Sequence, residues 1–499
     1  MGLKQVAERQ HAATASIRPV PRLTTYQGGR ASQGSSGRRQ RWATAVPYVE
    51  SLLCLIAVAG LTLSLLGDFQ SVRTTDYVAT DYKTLYASAA LFRHGGNPYS
   101  MAGIVEIYRE SGVVLPRSMF GHAPVYPPVT LLLLWPLTYL SMGQSAMAWL
   151  VTSAAASAVA LAMVLREARR QGLHWSLRLG IAAFTAGAPV LGYALDIGNV
   201  SPAVGALAAI SLLMALRESH RSRARLTWGL VAGGISLGLA LCVKPHSAIW
   251  VFAGILLVCG SAGKLVAGIS GGVFLLGNLT SLVILYMRGA AQSVVGSLVA
   301  MLVAESRSGS MSPASREALP AMAQLTGVNS LFGLWIGQPV RGALVAMVVL
   351  ALLGSLLRVA WRTRWRGRDG SWQVLIVAAL FAVGMLASYH RAHDAVMLPA
   401  LLGLWLAHAI RRSVASRVSR AKRWVYGAGS ASVLLLLAAG WIDLPVRAGD
   451  RIAIWWGVPA LRDLVGLRQG AVVTAALALA LVILSCLTRP TDKKTARIF

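Results

Sequence analysis

Acid is what this chain has least of. Its 499 residues hold 18 Asp and Glu against 47 Lys and Arg, a formal net charge of +29. Charge of either sign is scarce: 13% of residues are charged while 56% are hydrophobic. A water-facing surface cannot be built from that composition, which excludes an ordinary soluble enzyme or binding domain. Cysteine is equally sparse. Cys54, Cys242, Cys259 and Cys486 all fall inside apolar runs with no paired spacing, which excludes a disulfide framework, a zinc cluster and a dithiol redox pair and leaves apolar packing as their role. The sequence also lacks HExxH, the helical spacing that would place two histidines on zinc, so no metal site is expected. Alternating apolar and polar residues, the mark of a membrane barrel, are missing too.

What is present is a series of solid apolar runs, roughly 17–23 residues each, from about residue 45 to residue 488, long enough for helices to cross a hydrocarbon core of about 30 Å. The fold class expected is an all-α polytopic membrane protein of about 12 transmembrane helices. The runs fall at about 45–67, 143–165, a third ending at "DIGN", 200–216, 226–243, 247–263, 265–287, 341–357, 372–388, 395–410, 424–442 and 471–488. Residues 1–42, with Arg18, Arg22, Arg30, Arg38, Arg39 and Arg41 among Ser, Gly, Thr and Gln, read as a disordered basic cytoplasmic tail. Residues 43–488 form the transmembrane domain, with a first external loop at 68–141 and a second long external segment at 288–340, and 489–499 return as a cytoplasmic tail. The twin arginine before the first run resembles an export signal, but the run is long and lacks a cleavage site, so an uncleaved anchor is expected.

The cationic excess has a topological explanation. "REARRQGLHW", "RESHRSRAR", "RVAWRTRWRGR", "RRSVASRVSRAKR" and "DKKTARIF" lie in short segments on one side of the membrane, as cytoplasmic retention of Lys and Arg requires. No nucleic-acid partner is implied. Both termini then lie in the cytoplasm. The short stretches 127–140 and 320–340 read as interfacial or re-entrant, because counting either as a span inverts every basic loop after it.

This parity places "TTDYVATDYK", "GHAPVYPP", "DIGN", "KPH", "GVNS" and "YHRAHD" on the external side, where six separated polar clusters suggest one composite site. Thr80 is expected to cap a helix from Asp81 to about His94, ended by Gly95 and Gly96 and lying along the membrane surface. Its Asp81 serves equally as an N-terminal charge or as a catalytic carboxylate. His390, Arg391, His393 and Asp394 crowd one span mouth, where ionisable groups must pair or face water. The Arg391 fork suits a phosphate, and Asp394 can neutralise it or cap the next helix. Lys244 can hold a phosphate as a point charge, with His246 beside it, or snorkel. Asp196, Asn199 and Asn329 suit sugar hydroxyls, although a helix cap explains each as well.

Taken in order, "TDYKTLYASAALFRHGGNPY", "VYPPVTLLLLWPLTYL", "KPH", "GVNSLFG" and "SYHRAHDAVMLP" resemble the bacterial polyprenyl-phosphate-mannose-dependent alpha-mannosyltransferases, within the GT-C membrane glycosyltransferases. The sequence departs from that pattern in "DIGN", where a Gly-Gln pair is expected, and in "VNS", where Asn-Gln-Ser is. The resemblance implies a GT-C-type fold and inverting, metal-independent and cofactor-free transfer of a hexose, with mannose the first choice. The donor would be a polyprenyl-phosphate sugar and the acceptor a hydroxyl on a glycolipid or glycan, at the external face of a bacterial cytoplasmic membrane. By its place in the motif Asp81 is the general base, with Asp76 second. Lys244, His246, His390, Arg391 and His393 are the candidates for the donor phosphate. Tyr82, Tyr86, His122, Tyr126, Asp196, Asn199, Asn329 and Asp394 are the candidates for sugar and acceptor. The absence of Asp-x-Asp, which would hold a metal for a nucleotide sugar, agrees with a lipid-linked donor. A secondary transporter or flippase is the alternative, since twelve spans suit it equally, but it would favour repeated halves and midplane polar groups.

Overall fold

The computed structural model describes residues 79–113, 126–186, 191, 194–195, 197–219, 226–307, 338–363, 370–387, 395–414, 424–429 and 469–487. The expected first span, Asp76, His122, Asp196, Asn329 and the "YHRAHD" residues His390, Arg391, His393 and Asp394 lie outside the described residues. Among the described residues every regular element is helical. Near the start of the described chain come α1 (Thr80–Arg93), α2 (Met101–Glu110) and α3 (Pro128–Leu134), the last running into a 3₁₀ turn at Trp135–Tyr139. Then follow α4 (Met142–Arg170), α5 (Trp175–Ala186), α6 (Ser201–Ser219), α7 (Trp228–Val243), α8 (Pro245–Val258), α9 (Gly260–Met287) and α10 (Ala291–Arg307). The chain continues with α11 (Gln338–Thr363), α12 (Gly370–Ala387), α13 (Met397–Val414) and α14 (Gln469–Leu487).

Four of these, α4, α6, α9 and α12, are long and apolar enough to cross a membrane, and α7, α8 and α13 are shorter apolar helices. The chain is a multi-pass membrane protein. α12 is the innermost: 94% of its apolar window is buried, and it packs on α8, α11, α13 and α14. Two of its donors reach carbonyls of neighbouring helices, Gln373 Nε2 that of Val258 at 2.6 Å and Trp372 Nε1 that of Ser485 at 3.3 Å, which offsets part of the cost of burying them. α9 is its opposite, only 17% buried, with a stripe of exposed leucines facing outward.

Expectation and structure differ around the first loop. The stretch 127–140 holds a seven-residue helix and a 3₁₀ turn. Thr80 is not a cap. It is the first helical residue, and Ala79 precedes it at φ 58 with no side-chain cap bond. The glycines end α1 as expected: Gly95 adopts φ 79, its N–H donates to the Phe92 carbonyl, and Gly96 N–H reaches back to that of Leu91 at 2.9 Å, which is the paired closure that suits a left-handed glycine. α1 is covered by the protein itself. Tyr82, Leu85, Ala87, Ala89 and Phe92 are all buried, and α1 packs among α2, α3, the 3₁₀ turn and α4. The two-faced helix of this loop is α2, which buries Ile104 and Tyr108 and exposes Glu106 and Arg109.

The two ends of the bundle differ in chemistry. Tyr82 meets Ser145 at the start of α4, whereas at the far end of α4 the buried Glu167 gathers Gln171 Nε2 at 2.8 Å, His408 at 3.6 Å and Arg217 at 3.9 Å. Arg411 joins them through Gln171 at 2.9 Å. The basic residues of α4, α6 and α13 thus share the end remote from Asp81.

Candidate active site

Three of the six polar clusters meet at the start of α1. Asp81 Oδ2 accepts from Asn199 Nδ2 at 2.8 Å. Asn199 Oδ1 in turn accepts from Lys244 Nζ at 3.3 Å, from Ser201 N–H at 2.9 Å and from Ser201 Oγ at 2.6 Å, and Lys244 Nζ also donates to Ser201 Oγ at 2.7 Å. Lys and backbone N–H groups only donate, so the amide has one possible orientation, with its NH₂ toward the carboxylate. Three donors on Oδ1 polarise the amide and strengthen its bond to Asp81. Lys244 is 4% exposed and delivers its charge to Asp81 through this chain, not by contact.

Each partner is placed by an identifiable bond or break in the backbone. α1 begins with unpaired N–H groups, and that of Asp81 is taken by the Ile197 carbonyl at 3.0 Å. This backbone bond docks the "DIGN" turn against the helix start. Gly198 makes the approach possible: it sits at φ 66, and a Cβ there would come within 2.8 Å of Tyr82 Cβ and 3.0 Å of Ala79 Cβ. Asn199 follows, its side chain also holding the Ser201 N–H at the start of α6. Lys244 occupies the break between α7 and α8, where Pro245 opens α8 without losing a needed donor. The carbonyls of Cys242 and Val243, freed by that break, accept from Thr130 Oγ1 at 3.0 and 3.3 Å.

The other carboxylate oxygen, Oδ1 of Asp81, receives no hydrogen bond from the described residues, and Asp81 is only partly buried. Among the described residues, then, one oxygen is held and the other has no donor. Tyr108, on α2, feels the same carboxylate: burial raises its phenol well above the usual range, the hydrogen bond with Thr84 opposes this, and the Asp81 charge adds to it. Tyr108 donates to Thr84 Oγ1 at 2.9 Å, since the Thr84 proton is used on the Thr80 carbonyl at 3.0 Å.

Tyr82 and Tyr86, expected at the sugar, turn instead into the protein. The Tyr82 ring stacks on Trp149 at 5.4 Å and its hydroxyl meets Ser145 Oγ at 2.6 Å, and burial pushes its pKa up to about 12 against the weaker pull of that bond. Tyr86 donates to the Leu140 carbonyl at 2.8 Å. The Tyr126 carbonyl accepts from Tyr99 at 2.6 Å. His246 is exposed on the first turn of α8. Sequence reasoning missed Ser201, whose hydroxyl joins lysine to amide, and Trp149, whose Nε1 holds the Gly198 carbonyl at 3.1 Å. The adjacency of Asn199 and Ser201 at a helix start was the available signal for the first. It also passed over Lys83, which is 8% exposed beside Asp81 in sequence.

Residues 125–388, a little over half of the chain, match Glycosyltransferase family 87. The chain belongs to this family. That makes it a membrane glycosyltransferase and favours the enzyme over the transporter. Among curated proteins none matches this family 87 chain. Among solved structures it is similar to ArnT from Cupriavidus metallidurans bound to undecaprenyl phosphate, with a TM-score of 0.40 and 14% identity over 88% of this chain and 77% of that one. ArnT from the same organism in the apo state gives 0.32 and 16%, over 85% and 77%.

Proposed function

We propose that this glycosyltransferase moves a mannosyl unit from a polyprenyl-phosphate donor to an acceptor hydroxyl, with inversion and without a metal, using Asp81 as general base. The observation that carries the reading is the half-held carboxylate: Asn199 fixes Oδ2 while Oδ1 has no donor among the described residues. The acceptor oxygen attacks the anomeric carbon as its proton passes to Oδ1, and the bond from that carbon to the phosphate oxygen breaks. The donor phosphodiester leaves as polyprenyl phosphate, gaining a charge that nearby cations stabilise. Asn199 and Ser201, with Lys244 behind them, keep Asp81 oriented. The donor lipid, the mannosyl unit and the GT-C architecture rest on the resemblance of the ordered motifs, as do the roles of Asp76, His122, Asp196, Asn329, His390, Arg391, His393 and Asp394. In support, Met397, three residues after Asp394, packs on Gly205, one turn into α6 from Ser201. The active centre faces the exterior and the basic end of the bundle the cytoplasm.

The test is transfer by membranes supplied with radiolabelled polyprenyl-phosphate-mannose. Asp81→Asn is isosteric and retains the contact to Asn199, and it is expected to lose about 10²–10⁴-fold in rate, the usual contribution of a positioned base. Undiminished transfer in that variant removes Asp81 from the role. A donor preference for another polyprenyl-phosphate sugar with Asp81 still required corrects only the sugar.

A further inference from the structure

The far end of α1 carries a second cluster that the proposed chemistry does not use. Arg93 donates through Nη1 to the Thr138 carbonyl at 2.5 Å and through Nη2 to His94 Nε2 at 2.7 Å, which puts the imidazole proton on Nδ1, since a guanidinium cannot accept. Arg288, immediately after α9, donates through Nη1 to the carbonyls of Phe92 at 2.5 Å and Arg93 at 3.1 Å. Both guanidiniums lie on rings of a single turn: Arg93 over Tyr139 at 4.9 Å and Arg288 over Trp135 at 4.7 Å. The two rings are themselves joined, Trp135 Nε1 to the Tyr139 hydroxyl at 3.3 Å. Among the described residues no carboxylate pairs with either arginine. Each has N–H groups beyond those used on the protein, in the planar fork that matches a phosphate.

The surroundings say which kind of phosphate. Leu275, Leu276, Leu279, Leu282, Val283 and Tyr286 form one exposed stripe up α9, at helical spacing, that ends at Arg288. Tyr139 is 74% exposed beside it. An acyl-facing stripe leading to aromatic rings and then to uncompensated cations is the profile of a bilayer interface read from core to headgroup. The reacting phosphate of a lipid-linked sugar is bonded to the anomeric carbon and must lie within a few ångströms of the base. Along α1 the Arg93 backbone is about 18 Å from that of Asp81, at 1.5 Å per residue. This is a different anion.

We infer that Arg93, Arg288 and the Trp135–Tyr139 turn bind the phosphate headgroup of an anionic membrane phospholipid whose acyl chains lie along α9. His94, held by Arg93, flanks the headgroup. The site stands independently of which sugar is transferred.

The experiment uses full-length protein in nanodiscs containing a photoactivatable phosphatidylglycerol, with peptide mapping of the label. Label is expected on the 135–139 turn and the end of α9, undisturbed by millimolar inorganic phosphate and weak with the phosphatidylcholine analogue. Arg93→Gln combined with Arg288→Gln is expected to lower it about thirtyfold, each guanidinium near an anionic headgroup contributing about a factor of five. Because Arg288 also closes the end of α1, Arg93→Gln alone serves as the variant that leaves that closure intact, with an expected drop of about fivefold. Asp81→Asn is expected to label as the wild type does, which separates this inference from the proposed transfer. Unchanged labelling in Arg93→Gln overturns the site. Competition by inorganic phosphate overturns the lipid as its ligand.

Discussion

At the scale of single residues, Asn199 does one thing that the sequence offered, the capping of a helix, and one that it did not. It closes the start of α6 through Ser201 N–H, and it holds Asp81 while taking the Lys244 ammonium. A primary amide suits this position because it offers a donor to the carboxylate and an acceptor to the lysine in one planar group. Leucine at 199 keeps the branched outline and removes both. Hydrogen bonds to charged groups contribute about 1.5–3 kcal/mol each, so Asn199→Leu is expected to lower the rate of sugar transfer by roughly 10–100-fold. Single-turnover measurements check this: a loss in the chemical step with donor binding retained is the expected result, and a loss confined to donor affinity assigns Asn199 to the substrate instead. Asp81, Asn199 and Lys244 were legible individually because polar groups stand out at the ends of apolar runs. Their connection through Ser201 was not, since a serine at a helix start is unremarkable until a lysine from 43 positions away reaches it.

At the scale of elements, most helix positions follow from the apolar runs, and the end of α1 follows from Gly95 and Gly96. Its beginning does not. The local pattern favoured a Thr80 cap, but the N–H that needed an acceptor found the Ile197 carbonyl on a turn more than a hundred residues later, a solution no local window contains. α10 was absorbed into the expected external segment 288–340 because charge parity counts only crossings and is silent about helices that do not cross. The burial of α1 was hidden for a related reason: its polar residues find partners within the protein, Tyr82 at Ser145 and Tyr86 at Leu140. The joint between α1 and the 197–199 turn has little tolerance. In Gly198→Ala a left-handed alanine and a 2.8 Å approach to Tyr82 Cβ are together expected to cost about 2–4 kcal/mol. Thermal unfolding in detergent would show a lower midpoint. Transfer activity is expected to fall with it, because the substitution drives Asp81 and Asn199 apart.

At the scale of the whole molecule, the bundle is polarised: the Asp81 carboxylate at one end, and Glu167 surrounded by His408, Arg217 and, through Gln171, Arg411 at the other. α4 spans nearly the whole distance, 29 residues or about 43 Å at 1.5 Å per residue, enough to cross a bilayer with its headgroups. The class of fold and the placing of basic residues at one end were readable from composition and charge order, because the membrane imposes both. In a background with the native cysteines replaced, Arg109→Cys on α2 is expected to react with a membrane-impermeant maleimide on intact cells. Arg411→Cys is expected to react only after permeabilisation. The reverse pattern places the Asp81 end in the cytoplasm. The bond between Asp81 and Asn199 joins positions 118 residues apart, with Lys244 further on. During synthesis the carboxylate therefore emerges well before the segments that aim it. Until α6 and α7 have been inserted, the growing chain carries this carboxylate without the amide and the lysine that orient it.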